Sequence, residues 1–464
     1  MPSTGVKRRV ATTIRPMLSS ANPPTNHAPP IEFLPPDDPL RATLHNEVHA
    51  RPPARVRLPA LVVQVAVLNA GVSREDEWRH LQLLTGQSQL PLLRLNGNFL
   101  DLPCGSHTVT WERHSEFTRY SIVQAPPADA LLGSVEPELM SGLAVAPEWV
   151  RQIPGRTVSA IALAMVEAPL SDAPALMQQA QDWFGGRAVV ASQLGHGHSW
   201  AVTDFQIRAD GFERMLVVAT PATTDHRAGR ISQRLMEVEI YRLMALRGLP
   251  VVKKLAPMLS EAESALADIT ARLENKSASD QELLDTLVSL AARVERATAE
   301  HIYRFSATRA YNTLVGQRLS ELREKPISGT QTLSEFMQRR LSPAIATVAA
   351  TSQRLSSLSE RVSRTSALLR TRVDIAAEAQ NQVLLEKLTR GQELQLRLQS
   401  TVEGLSIAAI SYYVISLLLY GGKAAKAAGA PVNPEILVGA AIPLVLWLVW
   451  RNIRRIHAKL NGLG

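Results

Sequence analysis

The sequence predicts an α+β domain followed by a long α-helical stalk and a C-terminal two-helix transmembrane hairpin. Three observations predict it: β-rich runs alternating with amphipathic helices between about 58 and 220, apolar residues at three- and four-residue steps from 287 to 398, and two uncharged apolar runs after 403. The divisions that follow are a disordered tail over 1–36, an α+β domain over 37–222, a helical stalk over 223–403, and a transmembrane hairpin with a basic tail over 404–464.

A chain of 464 residues exceeds the span of one hydrophobic core, so more than one structural unit is expected. Its single cysteine, Cys104, excludes an intrachain disulfide and any zinc site built from several cysteines. The net charge of +8 is scattered among acidic residues rather than gathered beside aromatics, so no nucleic-acid partner is expected. Lys7, Arg8 and Arg9 are followed by five prolines between Val10 and Pro30 instead of an apolar run, which reads as a disordered tail rather than a signal peptide.

In the α+β domain, Leu61 to Leu68 reads as a strand and Ser73 to Leu84 as a capped helix, with His107 to Trp111 and Phe117 to Val123 as a strand pair. The order recurs as Val158 to Met165, the helix Ala173 to Phe184, Val189 to Gln193, and Trp200 to Ile207 turning at Asp210-Gly211 into Phe212 to Ala219. This suggests a duplicated β-α-β-β unit forming a mixed sheet with helices on one side.

Just before the first strand lies the densest polar cluster, His45, Glu47, His49 and Arg51. Asp38 can cap a helix with Pro39 at its first position, which puts His45 and His49 on one face beside Arg41. An extended chain would instead project His45, Glu47 and His49 from one side as a three-ligand metal site. The two readings are thus a docking segment and a ligand site, and neither spacing is that of a helical zinc protease motif. His196 and His198, in Gly195-His196-Gly197-His198, form a weaker pair with the same chemistry, more often found in a simple strand connector. With no phosphate-binding loop, nucleophile elbow or kinase set, no catalytic residue or cofactor is assigned and an enzyme is not expected.

Capping boxes at Ser279–Glu282 and Thr332–Glu335 open two helices, and Lys325-Pro326 with Gly329 ends the first. Leu287, Leu290, Val294, Ile302, Phe305, Val315, Leu319 and Leu322 mark one apolar stripe, with Tyr303, Phe305 and Tyr311 read as core. Val348, Leu355, Leu358, Val362, Leu369, Val373, Leu384, Leu388 and Leu398 mark the next. The two helices are expected to pack as an antiparallel pair or with copies of themselves, so self-association through the stalk is the expected protein contact.

Gly404 to Gly422 carries no charge and spans ~28 Å as a helix, close to the ~30 Å hydrocarbon layer. Ile436 to Trp450 is shorter, ~22 Å, with Trp447, Trp450 and Arg451 suited to an interface and Asn433, Pro434 and Glu435 suited to a helix start. Lys387, Arg390 and Arg397 before the first span and Arg451, Arg454, Arg455 and Lys459 after the second outnumber Lys423 and Lys426 between them. That bias predicts both termini in the cytoplasm and the chain in the inner membrane.

HNEVHARPP at 45–53, RFSATRAY at 304–311, RTRVDIAAEAQNQVLLE at 370–386 and LQLRLQSTVEGLSIAAISYYV at 394–414 resemble a family of bacterial membrane-anchored proteins, domain of unknown function 3422. The resemblance implies membrane anchoring and supplies no activity. The order of body, long helix, span, short loop and second span is also similar to CorA-type magnesium channels, whose loop begins Gly-Met-Asn where this chain has Tyr420-Gly421-Gly422-Lys423. The expected function is therefore a membrane-anchored cytoplasmic scaffold or sensor, with an oligomeric ion channel or transporter as the alternative, for which Lys423 and Lys426 are poorly suited to a cation pore mouth.

Overall fold

The computed structural model describes residues 38–41, 44, 55–84, 86–275, 279–429, 431 and 433–460. The tail expected over 1–36 and the cluster His45, Glu47, His49 and Arg51 lie outside the described residues. Contacts group the chain into two units, Met1–Leu243 with Leu314–Phe336, and Met244–Thr313 with Met337–Gly464.

In the first unit, β1 (Ala60–Leu68), α1 (Arg74–Gln82), β2 (Phe99–Pro103), β3 (Thr108–Arg113) and β4 (Phe117–Gln124) are followed by α2 (Pro147–Arg151), β5 (Arg156–Glu167), α3 (Ala173–Trp183), β6 (Val190–Leu194), β7 (Ser199–Ile207) and β8 (Glu213–Ala219). With β9 (Lys325–Pro326) they form one nine-stranded sheet in the order β2-β3-β4-β1-β5-β8-β7-β6-β9. The spatial order β2-β3-β4-β1 is mirrored by β6-β7-β8-β5. The polarity is not, because β1 runs antiparallel to β4 whereas β5 runs parallel to β8. The expected β-α-β-β order also lacks β2, a five-residue strand at the edge of the sheet whose pattern Phe-Leu-Asp-Leu-Pro is too short to stand out.

Alternate residues of each strand face opposite sides. Leu61, Val63, Val65, Val109, Trp111, Tyr120, Ile122, Ala162, Ala164, Val202, Leu216 and Val218 join Leu81 of α1, Trp149 of α2 and Leu176, Ala180 and Trp183 of α3 in one core. The Ser73 side chain accepts from the Asp76 N–H while Asp76 accepts from the Ser73 N–H, a complete capping box that fixes the start of α1. The second face is crossed by α4 (Asp225–Leu246), whose entry is set by the Val56 N–H donating to the Asp225 carbonyl at 3.1 Å.

The second unit is built on α5 (Gly248–Asn275), α6 (Asp280–Leu322) and α8 (Ser342–Ala427), with α7 (Leu333–Arg340) leading into the last. Val252, Leu255, Leu259, Leu266 and Ile269 of α5 meet Leu283, Leu287, Leu290, Val294 and Phe305 of α6 and Val348, Leu355, Leu358, Val362 and Leu369 of α8. Three helices share this core where an antiparallel pair, or packing with further copies, is expected. The difference lies in α5, whose stripe at three- and four-residue steps contains Pro257 and precedes both capping boxes. Of those boxes, Thr332–Glu335 is reciprocal, while at Ser279 the Glu282 N–H donates to the hydroxyl and the Glu282 carboxylate turns to Arg272.

Phe305 and Tyr311 are buried as expected, but Ile302 and Tyr303 point outward, 58% and 61% exposed. They stand beside the one stripe that α6 buries, which runs through Val294, Ala297, Phe305, Thr308 and Tyr311. Thr308, in the same RFSATRAY string, is buried and donates to the Ala245 carbonyl at 3.0 Å. Gly248 permits that approach, since a Cβ there would stand 2.5 Å from the Thr308 hydroxyl oxygen.

Helix α8 runs for 86 residues, ~129 Å at the usual rise. Its apolar stripe does not keep one environment. Leu369 is fully buried, whereas every residue from 374 to 402 is exposed, including Leu384, Leu388 and Leu398. Beyond it, α8 and α9 (Pro434–Leu460) pack on each other and bury Ser411, Val438 and Val445. Each carries an apolar window of mean hydropathy 1.8, of which only 6% and 11% is buried. Both helices are long and apolar enough to cross a membrane, and that exposure is the reverse of what the core helices of a soluble protein show.

Candidate functional site

The second face of the sheet is polar in one place. Paired positions on four adjacent strands put Asp101 of β2, Thr110 of β3, Ser121 of β4 and Gln64 of β1 in one cross-strand row. The Thr110 hydroxyl donates to Asp101 Oδ1 at 3.2 Å, and Gln64 Nε2 donates to Ser121 Oγ at 2.9 Å. Gln64 is 2% exposed, and its Oε1 has no hydrogen-bond partner. A buried amide carbonyl left this way costs ~1 to 3 kcal/mol.

The row forms the floor of a cavity of about 540 Å³. Ser232, Gln233 and Met236 of α4 roof it, Phe99 and Val123 add apolar wall, and Arg55 and Val56 stand at the approach to β1.

Beside the row, Glu112 of β3 lies directly opposite Arg119 of β4. Arg119 Nε donates to Glu112 Oε2 at 2.7 Å, its Nη2 also pairs with that carboxylate, and its Nη1 reaches Glu237 Oε1 of α4 at 3.2 Å. Glu237 in turn accepts from Gln233 Nε2 at 2.9 Å and from Arg318, and Arg318 donates to Glu321 at 3.0 Å. Burial opposes the charge on Arg119, but Glu112 and Glu237 outweigh it and hold the guanidinium above its ordinary pKa. Arg318 is held the same way, with burial opposed chiefly by Glu237. The network fixes the end of the cavity as a set of permanent charges whose lone pairs and N–H groups are mostly committed.

A second buried cluster lies under the far part of α4. Glu213 at the start of β8 is 4% exposed, and Arg242 grips Glu239 while standing 3.7 Å from Glu213. Burial first, then the charge of Glu239, push the Glu213 carboxyl well up, partly offset by Arg242. Its charges are turned on one another, Arg242 toward both Glu239 and Glu213.

The sequence-marked histidines fall elsewhere. His196, with φ of 64°, and His198 occupy the turn between β6 and β7. His196 Nε2 lies 3.2 Å from Arg323 Nη1, so its ring accepts from a guanidinium, a neighbour that disfavours a bound cation. His198 contributes backbone bonds, its N–H to the Leu194 carbonyl and its carbonyl to the Thr220 N–H. No group of three or more His, Cys, Asp or Glu side chains placed to hold a metal is present among the described residues.

Sequence reasoning marked none of Gln64, Asp101, Thr110, Glu112, Arg119 or Ser121. The signal was visible but ambiguous. Alternation such as Thr-Val-Thr-Trp-Glu reads as a sheet with one solvated face, and only the passage of α4 over that face turns it into a cavity. Comparison of the chain with curated proteins gives no match, and comparison with solved structures gives none. A family profile described as Protein of unknown function (DUF3422) matches residues 36–460, nearly the whole chain, and the chain belongs to that family.

Proposed function

We propose that this chain is a membrane-anchored sensor or scaffold, held at the inner membrane by the apolar ends of α8 and α9, with its sheet unit and helical core in the cytoplasm. One observation carries the reading: a single helix continues from the core that Leu369 closes, through an exposed stretch, into an apolar segment that buries almost nothing. Such a surface is stable in lipid and prone to aggregate in water. The arginines and lysines outside the two spans, against Lys423 and Lys426 between them, favour cytoplasmic termini.

The stretch from 374 to 402 adds self-association. An isolated helix of that length gains little stability in water, and Leu384, Leu388, Leu394, Leu398 and Val402 line it at intervals that suit a second copy.

The test is fractionation and labelling of the full chain. It should stay in membranes after carbonate washing, and truncation after Gln399 should release it. With Cys104→Ser, a Lys426→Cys variant should react only with reagent added outside the cytoplasm. Labelling from the cytoplasm alone overturns the topology, and release of the full chain by carbonate overturns the anchor. Leu384→Asp with Leu388→Asp should lower the detergent-solubilised mass to that of a monomer, and an unchanged oligomer would move the contact elsewhere.

A further inference from the structure

We infer that the cavity under α4 is a binding site for a small, uncharged polyhydroxylated molecule, a monosaccharide or cyclic polyol. The inference deepens the sensor reading by naming what would be sensed. It rests on four features of the floor and walls.

First, the cross-strand row offers three free acceptors and one free donor. The Ser121 hydroxyl accepts from Gln64, which leaves its own proton to give, while Thr110 donates to Asp101, which leaves its lone pairs to receive. Gln64 Oε1 and the second oxygen of Asp101 accept. Second, strands ~4.8 Å apart spread these groups over three spacings, so the floor meets several ligand groups at once. A hydroxyl both donates and accepts from one atom, so a ring of hydroxyls can serve the three acceptors and the one donor together, whereas an ammonium cannot accept from Ser121 and a carboxylate cannot donate to the other three. Third, the lining charges cancel: Arg55 and Arg119 stand against Asp101 and Glu112, so no net field selects an ion. Fourth, Phe99 and Met236 supply apolar wall for the C–H face that a sugar ring also presents, and the volume lies in the range of small-molecule sites.

The buried, unpartnered Oε1 of Gln64 is the sharpest of these marks. A sheet position under a helix ordinarily holds an apolar residue, and the same face of β5 carries Ile161, Leu163 and Met165. Leucine at 64 would fill the position without an orphaned carbonyl. Retaining glutamine costs stability in the empty protein and is repaid when a ligand hydroxyl donates to it.

The test is calorimetry on the full chain in an amine-oxide detergent, chosen because it has no sugar head group. Glucose, galactose, mannose and myo-inositol are the probes, with glycine, glutamine and acetate as contrasts. At least one neutral probe should saturate at millimolar concentration or below, and none of the contrasts should. Gln64→Leu should weaken that binding at least about tenfold, while the melting temperature of the empty protein holds or rises. A purely structural glutamine would behave in the opposite way, with a lowered melting temperature. Ser121→Ala should weaken binding in the same direction, and it keeps the test decisive should the leucine variant fail to fold. Absence of saturation by every neutral probe, binding of the amino acids alone, or unchanged affinity in both variants overturns the inference. Each of those results leaves the carbonate and labelling results standing, so failure of the ligand and failure of the anchor are separable.

Discussion

The two halves of the sheet share an element order but not an interior. Both place a strand, a helix and three further strands in mirrored spatial order, and α4 crosses the same face of both. In the half built on β5 and β8 that face is mostly apolar, Ile161, Leu163, Met165, Met215 and Val217, with Glu213 at its end; in the half built on β1 and β4 it sets Gln64, Ser121 and Arg119 among Val62, Ala66 and Val123. Closure by a helix therefore does not by itself dictate an apolar layer. A polar layer survives where its charges are mutually paired and where a cavity takes up what remains.

The sharpest way to break the comparison is to remove a charge from the polar half. Arg119→Met should cost ~3 to 5 kcal/mol, because the buried Glu112 would lose the guanidinium opposite it and Glu237 would keep only Arg318 of its two. Leu163→Ala in the apolar half should cost ~2 to 5 kcal/mol by cavity formation alone. Chemical unfolding of each variant reads both. Combining Arg119→Met with Glu112→Leu and Glu237→Leu then separates the mechanisms, since replacing these three buried groups by apolar ones, with Arg318 still paired to Glu321, should recover most of the loss. A triple variant as unstable as the single one would mean that the pairs carry net stability of their own.

That contrast also explains what could be read from the chain before the structure. Periodicity exposes burial on one face at a time, so Leu61 to Leu68, the Ser73 cap and the two apolar runs after 403 were legible. It does not say what covers the other face. Thr110, Glu112, Arg119 and Ser121 alternate with core residues as solvated positions would, and the burial of Glu112 and Arg119 involves α4, more than a hundred residues later. The pairing of Arg119 with Glu237 spans 118 positions and leaves no local pattern. The stalk failed in a related way. Ile302 lies within a helical stripe by loose spacing, but the stripe that α6 buries passes through Ala297, Phe305 and Thr308 and leaves it outside. The histidine pair was noticed for its chemistry, whereas Gly195 and Gly197 made it a turn, with both at positive φ beside His196.

A smaller effect sharpens the comparison between the two faces of the sheet. On the helix-packed face, His80 is stacked 4.3 Å from Trp149 and edge-on to Tyr120 at 5.8 Å, and burial holds its pKa down at about 4. The unfolded chain takes up the proton near 6.5, so stability is full above that pH and falls as the solution is acidified toward 4. The loss should approach ~3 kcal/mol. His80→Phe keeps the stacking and should flatten the profile over this window. A variant that keeps the same acid slope would assign the proton uptake to another group.

The last effect concerns Glu213, the one carboxyl on the second face of β8, and its sign is opposite. Its folded pKa lies above the ordinary 4.5 because the site is buried and Glu239 is close. Between those two values the folded protein holds a proton that the unfolded chain has released, so stability declines as pH rises. Glu213→Gln keeps an acceptor and a donor in the same volume but removes the ionisable group. It should match the parent near pH 5, where both are neutral in the fold, and exceed it by a margin that grows toward pH 8, where the parent must either bury a second charge or keep its proton against the solvent. The measurement is the difference between the two melting profiles across that range. A Gln variant that is less stable at every pH would show instead that Arg242, 3.7 Å away, holds Glu213 ionised, and the second half of the sheet would then contain an ion-pair network of the same kind as the first.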